Sequence, residues 1–213
     1  MLQPLVAIRP RILHIRRVNL PNAITLSRLI LTAVFVAGTT FDSPLGHWIA
    51  MISFIIAAIS DFVDGWLARK LGLVTPMGKL LDPVADKVLV CSAFVYLSAQ
   101  GEVGCPVWVT ALILAREFLV TGLRQIAMEN GQVMAADRLG KWKTGLQLTF
   151  CITCLVWFAF KPLDPSNPFV ALIRFLSNPD GWLIPVSMWL ALGLTLLSGW
   201  NYLWTCRHLL RAK

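Results

Sequence analysis

The chain has 213 residues, 57% of them hydrophobic, and 19 Lys and Arg against 11 Asp and Glu give it a formal charge of +8. This composition excludes an ordinary soluble domain and suits a single helical membrane bundle, with no length left for a soluble domain beside it. A nucleic-acid module is excluded too, because the basic residues are spread along the edges of apolar stretches and no basic soluble segment collects them. Anionic lipid and phosphorylated substrates are the partners that the charge suits.

Residues 1–19 mix Leu, Val and Ile with Arg9, Arg11, Arg16 and Arg17, the pattern of an interfacial amphipathic segment on the cytoplasmic leaflet, with a mobile tail as the alternative. The basic cluster follows the short apolar run and no small-residue cleavage site precedes the first span, which argues against a cleaved signal peptide. Residues 20–213 are expected to form one all-α domain. Apolar stretches at about 22–40, 46–67, 80–99, 105–127, 144–160 and 182–205 each approach the ~20 residues that a bilayer requires, predicting a six-transmembrane-helix bundle. The first four carry polar residues toward one end, as helices lining a cavity should. Residues 164–181, rich in Pro, Asn, Asp and Gly, read as an external loop.

The connections alternate in charge. Arg69, Lys70 and Lys79 lie between the second and third stretches, Arg138, Lys141 and Lys143 between the fourth and fifth, and Arg207, Arg211 and Lys213 near the end. Connections 41–46 and 101–105 hold no Lys or Arg, and 161–181 holds only Lys161 and Arg174. By the positive-inside rule both termini are cytoplasmic. Cys91, Cys105, Cys151, Cys154 and Cys206 do not suit a disulfide scaffold, and Cys151-Ile-Thr-Cys154 has redox spacing but lies in an apolar span without a βαβ context, so both are read as packing residues. Trp108, Trp157, Trp182, Trp189, Trp200 and Trp204 lie near span ends and suit interfacial anchoring.

Between the second and third stretches the chain reads Asp61-Phe-Val-Asp64-Gly65-Trp-Leu-Ala68-Arg69, then eight residues, then Gly78-Lys-Leu-Leu-Asp82-Pro-Val-Ala-Asp86. One charge at the bilayer centre costs about 2.5–3.5 kcal/mol, so four unpaired carboxylates would cost roughly 10 kcal/mol, and a cation must sit between them. Asp61 and Asp64 are an i, i+3 pair and Asp82 and Asp86 an i, i+4 pair, each projecting from one helix face. Carboxylate oxygens are hard ligands and no His or Cys is near, which favours Mg²⁺ or Mn²⁺ over zinc. Gly65 and Gly78 clear side chains where a nucleotide could approach the backbone, and Arg69 supplies a positive fork for phosphate. A lone glycine in a membrane helix serves packing equally well.

This spacing, Asp-x2-Asp-Gly-x2-Ala-Arg-x8-Gly-x3-Asp-x3-Asp, resembles the signature of the CDP-alcohol phosphatidyltransferase family at every fixed position. Pro21-Asn22-x2-Thr25-x2-Arg28, Ala115-Arg116-Glu117-Phe118 through Leu123-Arg124, and Gly140-Lys141-x-Lys143-Thr144 look like its bacterial branch whose acceptor is sn-glycerol 3-phosphate. The resemblance implies transfer of a phosphatidyl group from CDP-diacylglycerol to sn-glycerol 3-phosphate, releasing CMP, in the bacterial cytoplasmic (inner) membrane. Inositol phosphate, serine or phosphatidylglycerol is the alternative acceptor. By the same resemblance Asp61, Asp64 and Asp82 are metal ligands of what is expected to be a two-ion site. Asp86 contributes to the second ion and is the candidate general base. Asn22 and Thr25 stand near the nucleotide with Gly65, Arg69 and Gly78, although Thr25 could instead bond its own helix backbone. A homodimer is implied as well.

Arg116, Glu117 and Arg124 are charges that a lipid-facing fourth span would not tolerate, so they are expected to face the cavity, the two arginines binding the acceptor phosphate. Lys141 and Lys143 could complete that pocket, with snorkelling to headgroups as their competing role. A cation transporter would also carry intramembrane acids. Here the acids cluster at one membrane edge beside Arg69 and two glycines, and no inverted repeat is visible.

Overall fold

The computed structural model describes the backbone of residues 20–71, 76–129 and 138–211, and the side chains of 26–60, 87–128, 140–205 and 207. Residues 1–19, with the expected interfacial segment, lie outside it. Among the described residues there are α-helices and no strand: α1 Leu20–Thr40, α2 Pro44–Leu71, α3 Pro76–Ala99, a 3₁₀ turn Gly101–Val103, α4 Val107–Glu129, α5 Arg138–Phe160, α6 Pro168–Leu176 and α7 Leu183–Arg211.

Six of these helices coincide with the six apolar stretches read from the sequence. The stretches Gly140–Phe160 and Leu183–Thr205 are long and apolar enough to cross a membrane, while Leu26–Thr40, Pro44–Ser60 and Lys87–Ala99 are apolar but shorter within the described residues. The helix α6 corrects the reading of 164–181 as loop. Its turn formers are helix punctuation: the Asn167 side chain accepts from the Phe169 amide at 2.9 Å, Pro168 stands at the first turn, and the Ser177 amide closes onto the Ile173 carbonyl. Phe169, Leu172 and Phe175 of α6 remain exposed.

The bundle is apolar on its outside as well as in its core, and several charged and polar side chains are drawn inside. Ile30, Ile52, Ile56, Leu119, Leu190 and Leu197 are exposed, whereas Arg28, Glu117, Lys143 and Gln147 are buried. That arrangement suits lipid, where an apolar exterior costs nothing and a polar side chain must find its partners inside. Hydroxyls on the outer faces are satisfied locally, Thr149 donating to the Gly145 carbonyl and Thr153 to that of Thr149.

The helices α1 and α2 form a close hairpin, and α1 also lies on α3; α5 packs on α2, α3 and α7, and α4 on α3 and α7. Ser43 caps the start of α2 by accepting from the Gly46 amide at 3.1 Å. The hairpin requires glycine at two places: a Cβ on Gly46 would meet the Phe41 carbonyl oxygen at 2.4 Å, and one on Gly38 the Ala50 amide nitrogen at 2.9 Å. An aromatic core runs from the hairpin into α3 and α5. Phe35 packs on Phe54 with ring centres 5.6 Å apart, and Phe94 stacks on Phe150 at 5.3 Å. Cys151 and Cys154 are buried there as free thiols, in keeping with a packing role. Trp108, Trp182, Trp189, Trp200 and Trp204 are exposed, which suits interfacial anchoring, whereas Trp157 is half-buried against the core and serves packing instead.

Candidate active site

Five helices meet at a cleft of about 60 Å³ lined by Arg28 of α1, Ala58 of α2, Lys87 and Cys91 of α3, Glu117 of α4, and Thr144 and Gln147 of α5. In the sequence, Ala58 precedes Asp61 by three residues and Lys87 follows Asp86 directly. The cleft therefore adjoins the helical segments that carry the aspartate pattern.

Its centre is Glu117. The Lys143 ammonium donates to Glu117 Oε1, the Gln147 side chain donates to the same oxygen at 3.4 Å, and Arg116 Nη1 reaches it at 3.5 Å. The side chains of Glu117, Lys143 and Arg116 are 11%, 5% and 10% exposed, so these charges interact with little screening. Buried charges of this kind persist only when paired and hydrogen-bonded, and one carboxylate here faces two cations. With Lys87 and Arg28 on the wall, the interior carries excess positive charge, which suits an anion.

One face of α7 completes the arrangement. Thr195, Ser198, Gly199 and Tyr202 follow i, i+3, i+4, i+7 spacing, which places them on one side of the helix. Gln147 donates to Thr195 Oγ1 at 3.2 Å, Arg116 Nη2 donates to Ser198 Oγ at 2.6 Å, and Arg124 donates to the Tyr202 hydroxyl. The Arg124 guanidinium also lies over the Tyr202 ring, 4.9 Å from its centre. The helix α7 thus holds both arginines of α4.

A model of the CDP-alcohol phosphatidyltransferase family matches residues 18–197. The chain belongs to this family. Among its relatives, the CDP-diacylglycerol–glycerol-3-phosphate 3-phosphatidyltransferase of Bacillus subtilis is 39% identical over 196 residues, covering 86% of this chain and 93% of its own. The protein of the same name from Rickettsia bellii is 34% identical over 192 residues, covering 89% and 96%. A probable phosphatidylglycerophosphate synthase of Mycobacterium tuberculosis is 42% identical over a shorter 137 residues, 62% of this chain and 63% of its own.

This CDP-alcohol phosphatidyltransferase carries its expected site residues on five helices, α1 to α5. Asn22 and Thr25 lie on α1, Asp61, Asp64, Gly65 and Arg69 on the last turns of α2, and Gly78, Asp82 and Asp86 on the first turns of α3; their side chains are outside the described residues. Arg116 and Lys143 converge on Glu117, Arg124 lies two turns further along α4 on Tyr202, and Lys141 is exposed. Burial of Lys143 removes snorkelling as its role. Sequence reading missed the whole α7 contribution and the cleft wall at Lys87. The 3.6-residue recurrence of Thr195, Ser198, Gly199 and Tyr202 in an apolar helix was the available signal.

Proposed function

We propose that this CDP-alcohol phosphatidyltransferase is a phosphatidylglycerophosphate synthase, transferring the phosphatidyl group of CDP-diacylglycerol to sn-glycerol 3-phosphate with release of CMP. The observation that carries the reading is the cation-rich cleft beside the aspartate pattern, in a chain matched over 86% and 89% of its length by relatives bearing that activity in their names. A phosphorylated acceptor brings a dianionic group that buried Arg and Lys recognise, whereas serine does not need them. The acceptor hydroxyl oxygen forms a bond to the phosphatidyl phosphorus, the bond from that phosphorus to CMP breaks, and Asp86 takes the hydroxyl proton.

Asp61, Asp64, Asp82 and Asp86 would hold Mg²⁺ or Mn²⁺, two ions in all, as an all-oxygen donor set free of His and Cys suits hard cations. Such ions, when bound, neutralise charge developing on the phosphoryl oxygens and on the leaving nucleotide. Asn22, Thr25, Gly65, Arg69 and Gly78 serve CDP-diacylglycerol, and Arg116, Arg124, Lys141 and Lys143 the acceptor phosphate. The α1–α5 and α7 helices span the bacterial inner membrane as six segments, with both termini and the site on the cytoplasmic side, and the enzyme works as a homodimer.

The test is CMP release by the purified protein in detergent with Mg²⁺, offered glycerol 3-phosphate, inositol phosphate, serine and phosphatidylglycerol in turn. Glycerol 3-phosphate alone should sustain turnover, and Asp61→Asn, Asp64→Asn, Asp82→Asn and Asp86→Asn should each abolish it. Preference for another acceptor would replace the assigned reaction while keeping the family chemistry. Orientation is checked by single cysteines in a cysteine-free variant: one at Leu73 should be protected from impermeant thiol reagents outside intact cells, and one at Ser166 should react.

A further inference from the structure

We propose that Gly199 of α7 is a positioning residue of the acceptor site: its missing side chain is the socket in which the Arg116 stem lies, so that the guanidinium reaches Ser198. The inference rests on the reading of Arg116 as a contact to the acceptor phosphate. A Cβ at Gly199 would stand 2.9 Å from Arg116 Cγ, 3.7 Å from Nε and 3.9 Å from Cδ. The closest of these atoms is in the middle of the arginine stem, not at its free end. It cannot yield without swinging the guanidinium off the Ser198 hydroxyl that it meets at 2.6 Å.

Gly193 on the same helix has open space around its Cβ position, so a steric need for glycine is not a general property of α7. A glycine inside a helix weakens it relative to alanine, and at position 199 that cost is matched by a specific neighbour. What the socket provides is a fixed plane for the Arg116 fork, held by Ser198 on one nitrogen and by Glu117 on the other. Bidentate recognition of a phosphate depends on that plane, and a small displacement is enough to lose it. The expected substrate class is therefore an alcohol bearing a phosphomonoester, and discrimination against the unphosphorylated alcohol passes through Gly199.

The experiment uses the full-length protein in mixed micelles and reads initial rates of CMP release while glycerol 3-phosphate and CDP-diacylglycerol are varied separately. Gly199→Ala should raise KM for glycerol 3-phosphate about tenfold and change KM for CDP-diacylglycerol less than about twofold, as loss of one charged contact predicts. Gly193→Ala should change neither. Ser198→Ala, which removes the bond without crowding, should raise the acceptor KM by a smaller factor. Arg116→Gln should raise it too, and adding Gly199→Ala to that variant should have no further effect, because the glycine acts through the arginine.

An unchanged acceptor KM in Gly199→Ala overturns the proposal, as does an equal effect of that change with and without Arg116. If Gly199→Ala fails to assemble, Ser198→Ala decides, and a normal acceptor KM there overturns it. A normal acceptor KM in Arg116→Gln removes Arg116 from the acceptor site and the proposal with it. A raised KM in Arg116→Gln with a silent Gly199→Ala sinks the role of the glycine alone.

Discussion

The aromatic core and the polar cleft are built from the same helices and obey opposite rules. Around Phe35, Phe54, Phe94 and Phe150 the contacts are between rings and aliphatic groups, and nothing there needs a particular partner beyond shape. Around Glu117 each polar group needs its counterpart, because Lys143, Arg116, Gln147 and the carboxylate share one desolvated space. Packing holds the helices together; the cleft consumes part of that stability to keep charges inside the bundle, as the proposed phosphate site requires.

The largest effect should come from breaking the cleft. Glu117→Gln leaves Lys143 and Arg116 without their carboxylate, and thermal unfolding in detergent should show a loss of about 3–5 kcal/mol along with nearly all turnover. Adding Lys143→Met to Glu117→Leu should restore most of the melting temperature and none of the activity. Recovery of both together would mean that the network is structural only.

Next in size is Phe94→Ala, which opens a void against Phe150. It should cost about 3 kcal/mol of stability while KM for both substrates stays normal at temperatures where the protein remains folded. A selective change in one KM would show that core and cleft are coupled more tightly than their separate contacts suggest.

The smallest effect belongs to an exposed pair at the far end, where the Lys161 ammonium lies 2.7 Å from both oxygens of Glu102. The hydrogen bond from Lys161 holds the Glu102 carboxyl below its ordinary value of 4.5. A depressed carboxyl contributes stability above its unfolded value and loses it as pH falls through the lower folded value, so the contribution should fade only below about pH 4.5. Exposure limits it: Lys161→Met should lower stability by less than about 1 kcal/mol at neutral pH and flatten that acid response. A larger loss would make this pair part of the fold's support.

The contrast also explains what could be read from residues alone. The family was legible because charged residues at fixed offsets in an apolar chain have few other causes, and Arg116, Glu117 and Arg124 stood out for the same reason. The helix positions followed from hydropathy, which depends on length and composition along the chain. The α7 face was not legible, because Thr, Ser and Gly are ordinary in membrane helices and Tyr202 passes for an interfacial anchor. The i, i+3, i+4, i+7 recurrence marks a face but not its partner, which is fixed only when α4 lies against α7, a long-range contact. Helix α6 was lost for a simpler reason, since Asn167-Pro168 serves equally as a turn and as a helix start.

The claim that the polar half of the bundle serves the acceptor is tested most directly at Arg124, which reaches Tyr202 on α7 and lies apart from the Glu117 network. The measurement is KM for glycerol 3-phosphate and for CDP-diacylglycerol in Arg124→Gln, alongside the melting temperature. The acceptor KM should rise about tenfold, with the lipid KM and the melting temperature close to those of the unaltered protein. An equal rise in both constants, or a lowered melting temperature with both constants unchanged, would make the arginine a structural tie between α4 and α7 and contradict the account.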